Sequence, residues 1–93
     1  MLYFRSQTDI IIGMIRKLVG NRIKELRINN LNMTQNELAE KLKWDRTFLS
    51  RVESGKQNIT IDSLERICKI LNISLKEFFM YMDNEHITEE YYL

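Results

Sequence analysis

The side chains best equipped for chemistry fall in one short stretch. Arg46, Thr47, Ser50 and Arg51 stand together, with Gln35, Asn36, Lys56, Gln57 and Asn58 near them in sequence. All of them can donate hydrogen bonds, and none is a nucleophile paired with a base. An arginine offers two parallel donors, which fit guanine O6 and N7 or a phosphate. A threonine can touch a thymine methyl, and its hydroxyl can equally cap a helix. The sequence holds no Ser/His/Asp or Cys/His set, no glycine-rich phosphate loop and no metal-ligand spacing. His86 is the only histidine, in an acidic stretch with no second ligand beside it. Cys68 is the only cysteine, so an intramolecular disulfide and a cysteine zinc site are excluded, and it reads as a small core residue. These residues point to binding, not catalysis, and no cofactor or metal is expected.

The elements that must position them are two short helices within Thr34–Lys56. Thr34-Gln35-Asn36-Glu37 has the form of a capping box, in which a hydroxyl and a carboxylate serve each other's backbone amides. Leu38, Ala39 and Leu42 follow as a buried face, and the small Ala39 suits a steep helix crossing. Asp45 caps a second helix that runs to about Ser54, and Gly55 stops it. Arg46 and Arg51 lie five positions apart, which at ~100° per residue separates them by roughly 140°. This pattern reads as a helix-turn-helix whose second helix enters the major groove of DNA. Phosphate contact or solvent is the alternative for each arginine, and plain helix surface for Ser50. Trp44 stands in the turn and reads as packing.

A helix precedes this unit. Thr8 or Asp9 can cap it, and Ile12, Ile15, Val19, Ile23 and Leu26 form one apolar stripe. Gly13 and Gly20 leave open whether it is one helix or two. Ile10, Ile11 and Met14 add apolar surface beyond the stripe, where a partner chain could cover it. The helix should stop near Asn29–Asn32. After the unit, Thr60 starts a fourth helix with Leu64, Ile67, Cys68 and Leu71 on one face, ended by Asn72. Ser74-Leu75-Lys76-Glu77 is another capping box, opening a fifth helix with Leu75, Phe78, Phe79 and Met82. So many large apolar groups at the end of a small domain suggest a dimer interface. The domain organisation is then an arm or extension over 1–12, a DNA-binding domain over 13–82 and an acidic tail over 83–93.

Composition agrees with an all-α fold. The 93 residues contain no proline and three glycines. Such a chain forms one small domain with a modest core. No apolar run reaches membrane-spanning length and no signal-peptide pattern is present, so a cytoplasmic protein is expected. Net charge is only +1, but it is unevenly placed. Residues 13–60 hold ten Lys/Arg against five Asp/Glu, and residues 61–93 hold three against seven. A basic body joined to an acidic end suits phosphate binding on one face and self-association on the other.

The run Thr34-Gln35, Glu37-Leu38-Ala39, Leu49, Val52, Glu53 and Gly55-Lys56 resembles the lambda-repressor-like helix-turn-helix family of phage repressors and bacterial regulators. The likeness covers about residues 19–79 and extends through Thr60–Leu64, Leu71–Ser74 and Phe78-Phe79. Asp45–Ser50 with Glu53, Gly55 and Gln57-Asn58 is further similar to the controller proteins of restriction-modification systems. The resemblance implies a five-helix, lambda-repressor-like DNA-binding domain, here with an N-terminal helical extension. It implies base contacts by Arg46, Thr47, Ser50 and Arg51, and phosphate contacts by Gln35, Asn36, Lys56, Gln57 and Asn58. It also implies a structural ion pair between Arg27 and Glu53. The apolar groups of the fifth helix, Leu75, Phe78, Phe79 and Met82, are read from the sequence itself as the dimer interface. Two departures stand out. Lys43 replaces the glycine the family often has in the turn, and the Ile28–Met33 connection is about one residue longer than in phage repressors.

The function expected is a homodimeric, sequence-specific transcription regulator on a palindromic operator in double-stranded DNA, and within that a restriction-modification controller. A phage-type repressor is the near alternative. An antitoxin or other protein-interaction module on the same fold is the second class, suggested by the acidic tail and the Ile10–Ile12 patch, but it has no need of Arg46 and Arg51 on an exposed face. An enzyme is a distant third.

Overall fold

A computed structural model describes residues 6–80. The described residues form five helices: α1 Gln7–Asn29, α2 Gln35–Leu42, α3 Arg46–Glu53, α4 Ile61–Leu71 and α5 Leu75–Met80. There is no strand among the described residues. The expected contributions of Met82, His86 and the acidic tail lie outside the described residues.

The first helix is one continuous element, a point its sequence leaves open. It runs unbroken through Gly13 and Gly20. Its N-cap is Ser6, whose hydroxyl accepts from the Asp9 amide, and not Thr8 or Asp9, which lie inside the helix. Its apolar stripe is only half used. Ile23 and Leu26 are buried and Val19 packs beside them, but Ile12 and Ile15 remain more than two-fifths exposed. Periodicity predicted a buried face along the whole helix. Among the described residues nothing buries Ile12 and Ile15.

The other boundaries follow from local chemistry. Thr34 and Glu37 complete the capping box reciprocally, at 3.1 Å in each direction. Those bonds to Thr34 hold the Glu37 carboxyl below its usual pKa. Thr60 caps α4 through the Ser63 amide, and Ser74 with Glu77 caps α5. Asp45 occupies the N-cap position of α3, but its side chain makes no capping hydrogen bond, contrary to expectation. Asn32, Lys43 and Asn72 all adopt positive φ. For asparagine this is common; for lysine it is not.

Lys43 closes α2 at φ 59° and ψ 39°, with its amide donating to the Ala39 and Glu40 carbonyls. The glycine conformation of the family's turn is therefore kept without the glycine. A side chain in this region costs about 1 kcal/mol. Lys43→Gly is expected to raise stability by up to about that amount, less the entropy a glycine adds to the unfolded chain. Urea denaturation measures it.

The core sits where α1, α2, α3 and α4 converge. Ile23, Leu38, Leu42, Leu49, Ile67 and Phe78 have no exposed surface. Ala39, Val52, Cys68 and Leu71 complete the centre. Burial pushes the Cys68 thiol up from its ordinary pKa, with nearby Glu65 adding to the effect. That agrees with a packing role. No helix among the described residues is long and apolar enough to cross a membrane.

Candidate nucleic-acid interface

α3 is amphipathic in the manner its sequence predicts. Leu49 and Val52 face inward, while Arg46, Thr47 and Arg51 are exposed and Ser50 is half-buried. Phe48 is half-buried and meets Trp44 edge-on, with ring centroids 4.7 Å apart. Trp44 thus packs against the start of α3 from the turn. Four polar side chains lie on or beside the outward face of a helix held on its other side by core residues.

Beneath this face lies a charged network. Arg27 donates from Nε to Glu53 Oε2 at 2.8 Å and from Nη2 to Oε1 at 3.0 Å. Its Nη1 donates to the Met33 carbonyl at 2.7 Å. Gln35 Nε2 donates to the same Glu53 Oε1 at 2.9 Å. Arg27 and Glu53 are both buried. One carboxylate therefore ties α1, the first turn of α2 and the last turn of α3 into a fixed frame. A fork-to-fork pair is directional, so it sets angles as well as distance. The first turn of α2 and the exposed face of α3 are held in register by this frame.

The close approach of α1 to the end of α3 depends on Gly20. A Cβ there would stand 2.2 Å from the Val52 carbonyl oxygen and 2.8 Å from that of Glu53. No side chain fits. Gly55, at φ +78°, ends α3 with its open side against Lys17 of α1. The loop that follows presents Lys56 and Asn58 outward and Gln57 half-buried. A weak contact of 3.4 Å links Arg51 Nη2 to the Lys56 carbonyl. Arg66 of α4 donates to the Leu42 carbonyl, which satisfies the end of α2 beneath the turn.

The structure thus gathers Arg46, Thr47, Ser50 and Arg51 on one helix. Gln35 and Asn36 stand at the start of α2, and Lys56, Gln57 and Asn58 in the loop beyond α3. Gln35 is not simply exposed polar surface, because one of its amide hydrogens serves Glu53. Phe78 is fully buried within the chain, Leu75 is half-buried, and Phe79 and Met80 are exposed. Any outward apolar surface of α5 therefore comes from Leu75, Phe79 and Met80, with Phe78 as its inward anchor.

Three residues escape a reading of the sequence. Gly20 looks like a break in helix propensity, and its value lies in a contact 32 residues away. Arg66 looks like an ordinary surface charge. Arg22 looks like part of the basic balance, yet it is buried and donates to carbonyls of α5. No local pattern marks any of them. Among the described residues no group of His, Cys, Asp or Glu is arranged to hold a metal.

Comparisons with known proteins agree with this geometry. The helix-turn-helix family matches residues 23–78. Control protein C.MunI of a Mycoplasma species is 36% identical over 66 residues, which are 71% of this chain and 89% of that protein. Control protein C.BamHI of Bacillus amyloliquefaciens is 35% identical over 63 residues, 68% of this chain and 78% of that one. The crystal structure of wild-type restriction-modification controller protein C.Esp1396I superposes with a TM-score of 0.68 at 38% identity. It covers 78% of this chain and 95% of its own. Fold, family match and the exposed donor face of α3 agree: the chain belongs to the helix-turn-helix family, as a DNA-binding transcription regulator similar to the controller proteins of restriction-modification systems.

Proposed function

We propose that the protein binds a palindromic operator as a homodimer, with α3 of each copy in the major groove. Arg46, Thr47, Ser50 and Arg51 read base edges. Gln35, Asn36, Lys56, Gln57 and Asn58 hold phosphates on either side. The observation that carries this reading is the exposed donor face of α3 above the buried Arg27–Glu53–Gln35 frame. Gln35 has two amide hydrogens. With one on Glu53, the other can meet a phosphate at the N-terminus of α2, where backbone amides also favour an anion.

Pairing through Leu75, Phe79 and Met80 buries the apolar surface that α5 leaves outside. Two recognition helices related by that pairing would read half-sites about 34 Å apart. In function we place the protein in the cytoplasm, as a controller of restriction-modification genes whose occupancy follows its own dimer concentration. The names of the relatives at 35–36% identity support that assignment.

A mobility-shift titration with the DNA upstream of its own gene tests the reading. A discrete complex at low protein concentration is expected, weakened by rising salt as phosphate contacts are screened. Absence of any complex at low salt would remove it. Phe79→Glu is expected to leave a folded monomer with lower operator affinity, read by sedimentation velocity alongside the titration.

A further inference from the structure

Arg22 is the least expected buried charge among the described residues. Its side chain is 7% exposed although it stands on a helix surface next to solvent-facing Asn21. Its Nε donates to the Phe78 carbonyl at 2.9 Å, and its Nη2 lies 3.4 Å from the Glu77 carbonyl. Its Nη1 meets Glu25 Oε1, one turn further along α1, at 3.1 Å. Glu25 is half-exposed and orients the guanidinium from the solvent side.

Those two carbonyls belong to α5. Arg22 therefore ties α5 to the middle of α1 across the body of the domain. Phe78 supplies an apolar anchor with no exposed surface. Leu75 packs partly against the same core. Apolar contacts of this kind fix position but are not directional. Arg22 adds a directional attachment through two backbone carbonyls. With both in place, Phe78 points in while its neighbour Phe79, ~100° round the helix, points out.

We propose that Arg22 is a positioning residue for self-association, setting the rotation of α5 and through it the spacing of the two recognition helices. The proposal rests on the reading that α5 pairs the two copies. A rigid α5 commits the dimer to one half-site separation. A loose one lets the paired copies rock and accept several. Arg22 sits on α1, the helix that also carries Arg27 of the frame under α3. One helix thus holds the dimer element and the DNA-reading element through two buried guanidiniums five residues apart.

The test uses the full chain with Arg22→Met and Arg22→Lys, and operators whose half-sites are moved apart or together by one base pair. Binding to a single half-site and helicity report whether the reading unit is intact. Wild type is expected to lose affinity sharply when the spacing changes. Arg22→Met is expected to keep half-site binding, lose about tenfold or more on the native operator, and lose the spacing preference. Arg22→Lys, which keeps a charged donor without the fork, is expected to recover part of it. If Arg22→Met retains the wild-type spacing preference and affinity, Arg22 has no such role. Half-site binding that falls in parallel with the native operator would overturn it too, because the effect would then be general unfolding. Phe79→Glu in the same assay separates the two readings. If that variant stays dimeric, α5 does not pair the copies and the proposal falls with that reading. If it becomes monomeric while Arg22→Met behaves as wild type, only the role of Arg22 falls.

Discussion

Replacing Glu53 by alanine is expected to lower stability by roughly 3–5 kcal/mol, the cost of leaving a buried charge without its counter-ion. Arg27 would keep its bond to the Met33 carbonyl but lose both bonds to the carboxylate. Gln35 would lose its partner in the same step. For a domain of this size, each kcal/mol moves the melting temperature by roughly 4–8 °C. A fall of well over ten degrees should follow. Urea denaturation followed by circular dichroism measures it. Glu53→Gln should cost less, since an amide oxygen still accepts. Combining Glu53→Leu with Arg27→Met should recover much of the loss, because two apolar groups leave no stranded charge. A double variant as unstable as Glu53→Ala would show that the frame contributes by shape and not through charge.

Gly20 and Gly13 are expected to respond to alanine with opposite signs. Both lie inside α1, and in an isolated helix each replacement would stabilise by roughly 1 kcal/mol. At Gly13 no described atom beyond the adjoining backbone of α1 lies within 4 Å of the new methyl, so that gain should appear. At Gly20 the methyl would stand 2.2 Å from one backbone oxygen and 2.8 Å from another. Backbone cannot swing aside as a side chain can. The two helices must part, at a cost of roughly 1–3 kcal/mol or more, which exceeds the gain in propensity. The same separation strains the Arg27–Glu53 pair, which joins the same two helices. Gly20→Ala should therefore weaken DNA binding as well as folding, and Gly13→Ala should not. Thermal denaturation of the two variants decides it. Equal effects would mean that α1 does not press on α3.

The difference between these two glycines shows what a sequence makes legible. The starts of α2, α4 and α5 are written in four adjacent residues, Thr34 with Glu37, Thr60 with Ser63, and Ser74 with Glu77. The order of helices and the outward face of α3 follow from spacing along one element. α1 is different. Its apolar spacing continues through Ile12 and Ile15, but burial depends on what lies opposite, and nothing covers those turns among the described residues. Gly20, Arg22 and Arg66 act on partners 24 to 56 residues away. Their roles exist only once the helices have packed. Lys43 lies between these cases. Its position in the turn is legible, and its left-handed backbone shows that packing and the hydrogen bond from Trp44 to Ala39 outweigh a local preference.

If α3 reads DNA sequence through its arginines, as we propose, their loss must lower discrimination more than overall affinity. The most direct measurement is the ratio of affinities for the upstream operator and for unrelated DNA of equal length, at one salt concentration. It is taken for wild type, Arg46→Ala and Arg51→Ala. If each guanidinium meets a guanine as proposed, removing it should cost roughly 1–3 kcal/mol of discrimination, about ten- to a hundredfold in the ratio. Affinity for unrelated DNA should change far less, since the proposed phosphate contacts would be untouched. A ratio unchanged in both variants, with both proteins folded, would contradict the account.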